Sequence, residues 1–156
     1  MTHSCRVHAQ QDWQEGNKSI VIADTQPKHT VYVYNCTNSV VQIKGKVNAV
    51  TLDGCKKVGL AFENVVASVE LVNCSGCEVQ ALGFVPSFAI DKCSSIQVIL
   101  SQECLTTEIV SAKSDQLNVV LPPLNPNDDI TELAIPEQFK TTIENRVLKT
   151  VHVEHV

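Results

Sequence analysis

The sequence is poor in aromatic side chains, and this limits what its core can contain. Only 4% of the 156 residues are Phe, Trp or Tyr, although 44% are hydrophobic. The core must therefore be built from Val, Leu, Ile, Ala and Cys, a set whose β-branched members favour strands. A chain of this length is expected to form one domain, residues 1–156, with a continuous buried core.

The chain also lacks the patterns typical of nucleic-acid and membrane binding. Its net charge is −5 and its 12 basic residues are scattered, so no basic stripe can follow a phosphate backbone. No run of 18 apolar residues occurs, which predicts no membrane insertion, and the first residues lack the charged and apolar regions of a secretion signal. These absences predict a cytoplasmic protein.

The seven cysteines are better explained by their spacing than by disulfide bonding. Their number is odd, and cytoplasmic thiols stay reduced, which argues against a disulfide framework. Four of them, Cys36, Cys55, Cys74 and Cys93, are separated by 19 residues each time. A fixed period near 20 residues is the signature of a repeat architecture.

Apolar residues recur at fixed distances after each periodic cysteine. The positions five and seven residues on are all apolar, namely Val41, Leu60, Val79, Val98, Ile43, Phe62, Ala81 and Leu100. The positions fourteen and sixteen residues on are Val50, Val69, Phe88, Thr107, Leu52, Leu71, Ile90 and Ile109, where Thr107 alone is polar. Extending the register adds Ile20, Ile22, Val31, Val33, Leu117 and Val119, which gives about six coils over residues 17–121.

This pattern predicts an all-β fold, a parallel β-helix. Apolar positions two apart have the strand period, and the segments are too short for helices. Corners are expected where glycine interrupts the pattern, as at Lys44-Gly45-Lys46 and Asp53-Gly54. The cysteines then stack inward as small apolar residues. The N-terminal segment through Trp13 is expected to cover one exposed end of the stack.

The C-terminal part breaks the repeat at Pro122-Pro123. Residues 122–135 are turn-rich and are expected to form a linker. Residues 136–156 contain two alternating segments, 138–143 and 147–153, around Glu144-Asn145-Arg146, which predicts a hairpin. An isolated hairpin is marginally stable, so this one either folds back onto the last coil or exchanges with a second chain. The pattern alone leaves both options open.

Four separated motifs of the sequence carry a resemblance to a known family. They are Gln42-Ile-Lys-Gly-Lys-Val-Asn48, Leu52-Asp-Gly-Cys-Lys-Lys-Val-Gly-Leu60, Ile109-Val-Ser-Ala-Lys-Ser114 and Ile135-Pro-Glu-Gln-Phe-Lys-Thr141. Together they resemble the C-terminal domain of cyclase-associated protein, a family that binds actin monomers. The resemblance runs in order from about Trp13 to the last few residues. The family's N-terminal helical domain, proline-rich tracts and Wiskott-Aldrich-type segment have no counterpart in this sequence.

The resemblance implies a right-handed β-helix whose C-terminal hairpin is swapped between two chains of a homodimer. The residues that would carry the swap are Phe139, Lys140, Thr141, Ile143, Val147, Val151 and Val153. It further implies a cytoskeletal function, in which the domain binds ADP-loaded actin monomers and promotes replacement of ADP by ATP. An association with adenylyl cyclase is implied by the family name alone.

Candidate contacts with actin lie at corners of the predicted coils. Lys44, Lys46, Lys56 and Lys57 are expected to cluster at corners of adjacent coils and to meet an acidic partner surface. Glu70 is a further candidate. It belongs to a set of outward carboxylates, Asp53, Glu70, Asp91 and Glu108. A catalytic carboxylate pair is conceivable there, but the intervening Thr, Val and Ala residues favour a solvated or partner-binding face.

No cofactor, metal or catalytic residue is predicted. Cys74 and Cys77 have the spacing of half a zinc site, but Cys74 belongs to the repeat and Cys77 occupies the position of Val58 and Ile96 in other coils. All five histidines lie outside the middle coils. Cysteines buried in an apolar stack are also unsuited to nucleophilic catalysis. The chain is therefore expected to be a binding scaffold and not an enzyme.

A related β-helix group, the tubulin-folding cofactor C proteins, provides the alternative. Those proteins stimulate a small GTPase with the arginine of a Gln-x-Arg motif, and the comparable triplet here is Gln42-Ile43-Lys44. Lysine lacks the planar, multi-donor group of an arginine finger. The two arginines, Arg6 and Arg146, lie outside the coils, so this alternative is disfavoured.

Overall fold

The computed structural model describes residues 6–9, 12–15 and 18–153, with the side chains of residues 9 and 12–15 outside the description. The strands of these residues are β1 Arg6–Ala9, β2 Asp12–Glu15, β3 Ser19–Ile22, β4 Thr30–Tyr34, β5 Val40–Asp53, β6 Gly59–Val72, β7 Glu78–Ala81, β8 Ser87–Asp91, β9 Ser94–Ile99, β10 Glu108–Ala112, β11 Asp115–Leu121, β12 Thr131–Ala134, β13 Phe139–Glu144 and β14 Val147–His152.

Each coil has two long faces and a short third side. Face A consists of β3, β7, β9, β11 and the first parts of β5 and β6. Face B consists of β4, β8, β10 and the last parts of β5 and β6. We call the short segments that lead from face A to face B the third side, residues 44–48, 63–67, 82–86 and 101–107. Neighbouring coils pair in parallel, which confirms the predicted β-helix.

Inward side chains stack in columns through the molecule. On face A the ladder aligns Ile20, Val41, Leu60, Val79, Val98 and Val119, and on face B it aligns Val31, Val50, Val69, Phe88 and Ile109. All of these are buried except Ile109, which is partly buried. Such columns give each coil the apolar contacts that a single coil could not make.

One part of the predicted register is wrong by two residues. Ile109, and not Thr107, follows Phe88 on face B, and Val119, and not Leu117, follows Val98 on face A. The fifth coil has two additional residues in its third side, where Gln102–Cys104 form a short 3₁₀ turn. The third side can absorb an insertion because no long ladder constrains it. Thr107 therefore does not interrupt an apolar column.

The stack contains about five complete coils and not six. The sixth coil has only its face A strand, β11, because Pro122-Pro123 follows and proline cannot donate to a ladder. The chain then reverses, and β12 pairs antiparallel with β11. The segment 122–135 is thus a linker only in part, since its last residues form the strand that covers the face A edge.

Each end of the stack has one covered face and one open face, and on face A at the N-terminal end β3 pairs with β5 alone among the described strands. At the N-terminal end, β1 pairs antiparallel with β4 and with β2, and Val7 is buried, as the predicted end cover requires. The side chain of Trp13 is outside the description. At the other end, β10 pairs with β8 alone among the described strands. The face B edge is therefore open.

Corner residues adopt left-handed backbone conformations in register. Asn35, Gly54, Asn73, Lys92 and Lys113 occupy successive coils and have φ between 51 and 67°. A Cβ atom at Gly54 would also collide with Asn35 Oδ1 in the coil below. The predicted corner at Asp53-Gly54 is thus confirmed, and the contact with Asn35 favours glycine there, since asparagine and lysine adopt the same φ in the other coils.

The cysteine column lies inward, as predicted. Cys55, Cys74 and Cys93 are at most 3% exposed. The Cys74 thiol lies 3.3 Å from Val72 O in its own coil and 3.5 Å from Leu52 O in the coil below. Thiols are weak donors, so each adds a small contact between coils. Cys36 is disulfide-bonded, which departs from the expectation of reduced thiols.

The cysteine column ends at Ser114. Cys93 N–H donates to Ser114 Oγ at 3.1 Å, as Cys74 N–H does to Cys93 Sγ one coil below. Ser114→Ala should lower the free energy of unfolding by about 1 kcal/mol, because it leaves the Cys93 N–H unpaired. Ser114→Cys should restore most of the lost free energy of unfolding. Urea denaturation measures both, and an alanine variant as stable as wild type would contradict the prediction.

Candidate partner-binding surfaces

The four candidate lysines form two pairs and not one cluster. Lys46 lies beside Asn64 on the third side, and Lys44 precedes it at the same corner. Lys56 and Lys57 lie beside Ser75, at the corner where face B ends. The five-residue face B strand between the corners spans about 17 Å. The expected single cluster is therefore wrong, because the pairs occupy opposite ends of one strand.

The corner that carries Lys44 and Lys46 is fixed by hydrogen bonds to both neighbouring coils. Gly45 has φ +85°, and its N–H donates to Glu63 Oε2 at 2.7 Å. In the other direction, Thr25 Oγ1 donates to Lys44 O at 2.6 Å. Both lysine side chains are exposed. A rigid backbone thus presents two cations to solvent.

Glu70 is exposed at the centre of face B, between Thr51 and Ala89 of the adjacent coils. Asp53, Asp91 and Glu108 also point outward from this face, as the sequence predicts. The remaining outward positions of its coil strands from β5 to β10 are uncharged. Face B is accordingly an acidic, otherwise uncharged surface, opposite in sign to the third side at Lys44 and Lys46.

The N-terminal edge of face B carries a tyrosine pair. The Tyr32 hydroxyl donates to Asp53 Oδ2 at 2.8 Å, and its ring stacks on Tyr34 with centroids 6.1 Å apart. The hydrogen bond to Asp53 raises the pKa of Tyr32 to about 12, with further contributions from burial and from the charge of Asp53. The carboxylate favours the neutral phenol because a phenolate would lose this hydrogen bond and face a like charge.

Cys74 and Cys77 are core residues. They are 2% and 1% exposed, and side-chain hydrogen bonds with Cys55, Cys77 and Cys93 raise the pKa of Cys74. The hydrogen bond with Cys74 lowers the pKa of Cys77 and of Cys93 to about 7, while burial opposes this. A reactive thiol must be accessible to its substrate. The thiols of Cys74, Cys77 and Cys93 are enclosed in the core, so their pKa values do not make them reactive.

Within residues 6–9, 12–15 and 18–153, no group of three or more His, Cys, Asp or Glu side chains is arranged to hold a metal ion. No helix in these ranges has the length and hydropathy needed to cross a membrane.

The predicted hairpin is present and projects from the stack as a separate two-stranded sheet. β13 and β14 pair antiparallel through a two-residue turn, Asn145-Arg146, in which both residues have positive φ. This is the type I′ geometry that suits the twist of a hairpin. Every residue of both strands is exposed. The hairpin does not lie flat on the last coil, which was one of the two options left open by the sequence.

The cross-strand register divides the candidate hairpin residues between two faces. Ile143 pairs with Leu148 and Thr141 with Thr150, so these residues share one face with Phe139. Val147 and Val151 lie on the opposite face, with Lys140. Phe139, Ile143 and Leu148 are 58%, 73% and 69% exposed, and they form the apolar face of the hairpin. Leu148 was missed because the register of the turn could not be read from the sequence.

A cleft of about 1180 Å³ separates the base of the hairpin from the coils. Its coil wall is formed by the polar residues Glu78, Gln97 and Asn118, and its other wall includes Pro136 and Val153. Val153 contributes to this wall, and its N–H donates to Gln138 O at 2.8 Å. That hydrogen bond joins the two arms of the hairpin, whereas Ile135 N–H donates to Leu117 O at 2.9 Å and Gln116 N–H donates to Glu137 Oε2 at 2.7 Å, which holds the chain to the last coil just before the hairpin begins.

Parallel coils that carry a projecting apolar hairpin define the chain as a β-helix protein with surfaces suited to binding other proteins. Residues 8–155 match the family described as adenylate cyclase associated (CAP) C terminal. The chain belongs to this family, which confirms the resemblance found in the sequence.

Individual relatives agree with this assignment. The chain is 54% identical to adenylyl cyclase-associated protein of Dictyostelium discoideum over 93% of its own length, and 43% identical to adenylyl cyclase-associated protein 1 of Homo sapiens over 90%. It spans only 31% and 29% of those proteins. The crystal structure of cyclase-associated protein from Cryptosporidium parvum superposes with a TM-score of 0.81 at 28% identity, covering 90% of each chain.

The Tyr32–Asp53 pair predicts a specific loss of stability in alkali. The pKa of Tyr32 is raised in the folded state, so its contribution is fully present below pH 10 and declines as pH rises towards about 12. Tyr32→Phe should be less stable than wild type at pH 8, and the difference should shrink between pH 10 and 12. Tyr34→Phe, which keeps the pair, is the control. A difference in unfolding free energy that stays constant with pH would contradict the assignment.

Proposed function

We propose that this chain binds actin monomers that carry ADP, and promotes exchange of that ADP for ATP, as a homodimer. The observation that carries the proposal is the family match, which covers residues 8–155 of the 156. The coil stack, the exposed hairpin and the exposed charged surfaces supply the physical parts that such a function needs. Association with the actin cytoskeleton in the cytoplasm follows from this activity, whereas adenylyl cyclase enters only through the names of the relatives.

The mechanism is differential binding and involves no covalent chemistry in this chain. A protein accelerates ADP release from actin if it binds more tightly to a conformation in which the nucleotide is loosely held. This requires a surface that does not adapt equally well to both conformations. The paired coils provide such a surface, since their ladders are continuous from β4 through β10 on face B.

Contacts with actin are proposed at the two lysine pairs and at Glu70. All five side chains are exposed. Lys44 and Lys46 lie on the third side, Lys56 and Lys57 lie at the opposite corner, and Glu70 lies between these corners on face B. A partner that contacts all five must therefore extend across a whole coil face.

The homodimer is proposed to form by exchange of the hairpin. Exposed apolar side chains at Phe139, Ile143 and Leu148 are unfavourable in an isolated hairpin. The stack has a complementary deficiency, because β10 has one unpaired edge among the described strands and its own inward residue Ile109 is only partly buried. A hairpin from a second copy, placed on the β10 edge, would pair that edge and bury the apolar face of the hairpin. Lys140, Thr141, Val147, Val151 and Val153 are the remaining proposed contributors.

Nucleotide exchange is tested directly with fluorescently labelled ADP bound to actin monomers. Saturating amounts of this chain should increase the rate of ADP release severalfold, because the bound actin spends more time in the conformation that holds ADP loosely. An excess of unlabelled ATP prevents rebinding, and bovine serum albumin at equal concentration is the control. An unchanged release rate at saturation would overturn the proposal.

The dimer is tested by charge placed on the apolar face of the hairpin. Ile143→Lys and Leu148→Lys should halve the mass measured by light scattering, because a cation cannot be buried unpaired at the interface. Val21→Lys, at a residue 48% exposed on face A of the first coil, is the control and should remain dimeric. Truncation after Pro136 should likewise yield monomers. Dimers that persist in all of these variants would place the interface on the coils.

A further inference from the structure

We propose that the third side of the second to fifth coils is a docking surface for the actin monomer, with Phe84 as its apolar anchor and Lys44 and Lys46 as its charged margin. This inference rests on the proposed function and specifies which of several exposed surfaces binds the actin monomer. The partner chemistry it requires is an apolar recess flanked by carboxylates.

Phe84 is unusual among the phenylalanines of the coils. The chain has four phenylalanines. Phe62 and Phe88 lie in the core at 0% exposure and Phe139 lies on the hairpin, whereas Phe84 is 39% exposed on the coil surface. Aromatic side chains dominate interface energetics because they bury a large area with few rotatable bonds.

The backbone around Phe84 is fixed on both sides. Phe84 N–H donates to Asn64 Oδ1 at 2.9 Å, and Phe84 O accepts from Val65 N–H at 2.9 Å, both in the coil below. In the coil above, Ser101 Oγ donates to Gly83 O at 2.6 Å. The corner is packed so closely that a Cβ atom at Gly83 would collide with Glu63 O. Phe84 is thus presented in one position, which lowers the entropy cost of binding.

Other exposed apolar side chains surround Phe84. Leu82 is 55% exposed in the same coil, Val66 is 44% exposed in the coil below, and Leu105 is 49% exposed in the coil above. Coils are spaced about 4.8 Å apart, so these residues form one apolar patch across three coils. Contiguous patches of this kind mark protein interaction sites.

The charge next to the patch indicates the partner. Lys44 and Lys46 belong to the same side of the second coil, two coils from Phe84 or about 10 Å away. The carboxylate of the intervening Glu63 accepts the Gly45 N–H, so it is already engaged with the backbone. The surface therefore has two cations in the second coil and mainly apolar exposed side chains in the fourth and fifth coils, where Glu103 adds one exposed carboxylate. Carboxylates beside an apolar recess match this order, and they would be repelled by acidic face B.

Binding of fluorescently labelled ADP-actin monomers to the full chain tests this assignment. Phe84→Ser should weaken affinity about tenfold or more, as the loss of a central aromatic anchor does. The double variant Lys44→Glu/Lys46→Glu should weaken the affinity for ADP-actin comparably at low salt. At high salt the loss should be smaller, because salt screens the interactions of exposed charges. Val21→Ser, on face A at 48% exposure, is the matched apolar control. Lys56→Glu/Lys57→Glu tests the other proposed contact corner, and Lys92→Glu/Lys113→Glu, at exposed residues with no proposed contact, is the matched charge control.

The outcomes separate this inference from the function on which it rests. If the wild-type chain does not bind ADP-actin, the proposed function fails. If wild type binds and both Phe84→Ser and the Lys44/Lys46 variant bind equally well, the third side is not the docking surface. A larger loss in the Lys56/Lys57 variant than in the Lys44/Lys46 variant would place the surface at the opposite corner. Circular dichroism of each variant checks that the coils remain folded.

Discussion

The stacking of equivalent side chains at one coil spacing is the constraint on which the rest of the structure depends. No single coil encloses enough apolar surface to be stable, so each relies on the coils above and below it. Columns such as Val31, Val50, Val69 and Phe88 therefore have to remain in register along the whole stack. Even the thiol of Cys74 contacts the carbonyl of Leu52 one coil below. This requirement explains why the 19-residue period is visible in the sequence at all.

The same constraint explains what the sequence could predict and what it could not. The ladder restrains faces A and B, so their inward residues were correctly predicted from spacing. The third side is restrained only weakly, and there the two additional residues near Gln102–Cys104 shifted the predicted register of Thr107 and Leu117. Phe84 lies in that region as well, where no two-residue alternation shows which side chains point outward. For the same reason the division of the lysines into two pairs was not anticipated.

The hairpin shows a different limit. Alternation within each arm is evident in the sequence, but which residues share a face depends on the register across the turn. The structure has a two-residue Asn145-Arg146 turn, and this pairs Ile143 with Leu148. A three-residue loop that included Glu144 would have given other pairs. The exposed residues Phe139, Ile143 and Leu148 are thereby placed on one face by backbone conformation at two residues.

The arrangement of the two ends bears on why a second copy is proposed. A parallel stack always ends in unpaired strands, and such edges promote uncontrolled association unless they are covered. Here β1 and β2 cover face B at the N-terminal end and β12 covers face A at the other, while β3 and β10 each have only one partner among the described strands, and β10 is the one nearer in sequence to the hairpin. The last two strands could have continued from β12 to cover this edge, but they project away as an exposed apolar hairpin. A hairpin exchanged between two copies would cover both open edges in a closed, symmetric pair, so the long faces and the third side of each stack would stay available for actin.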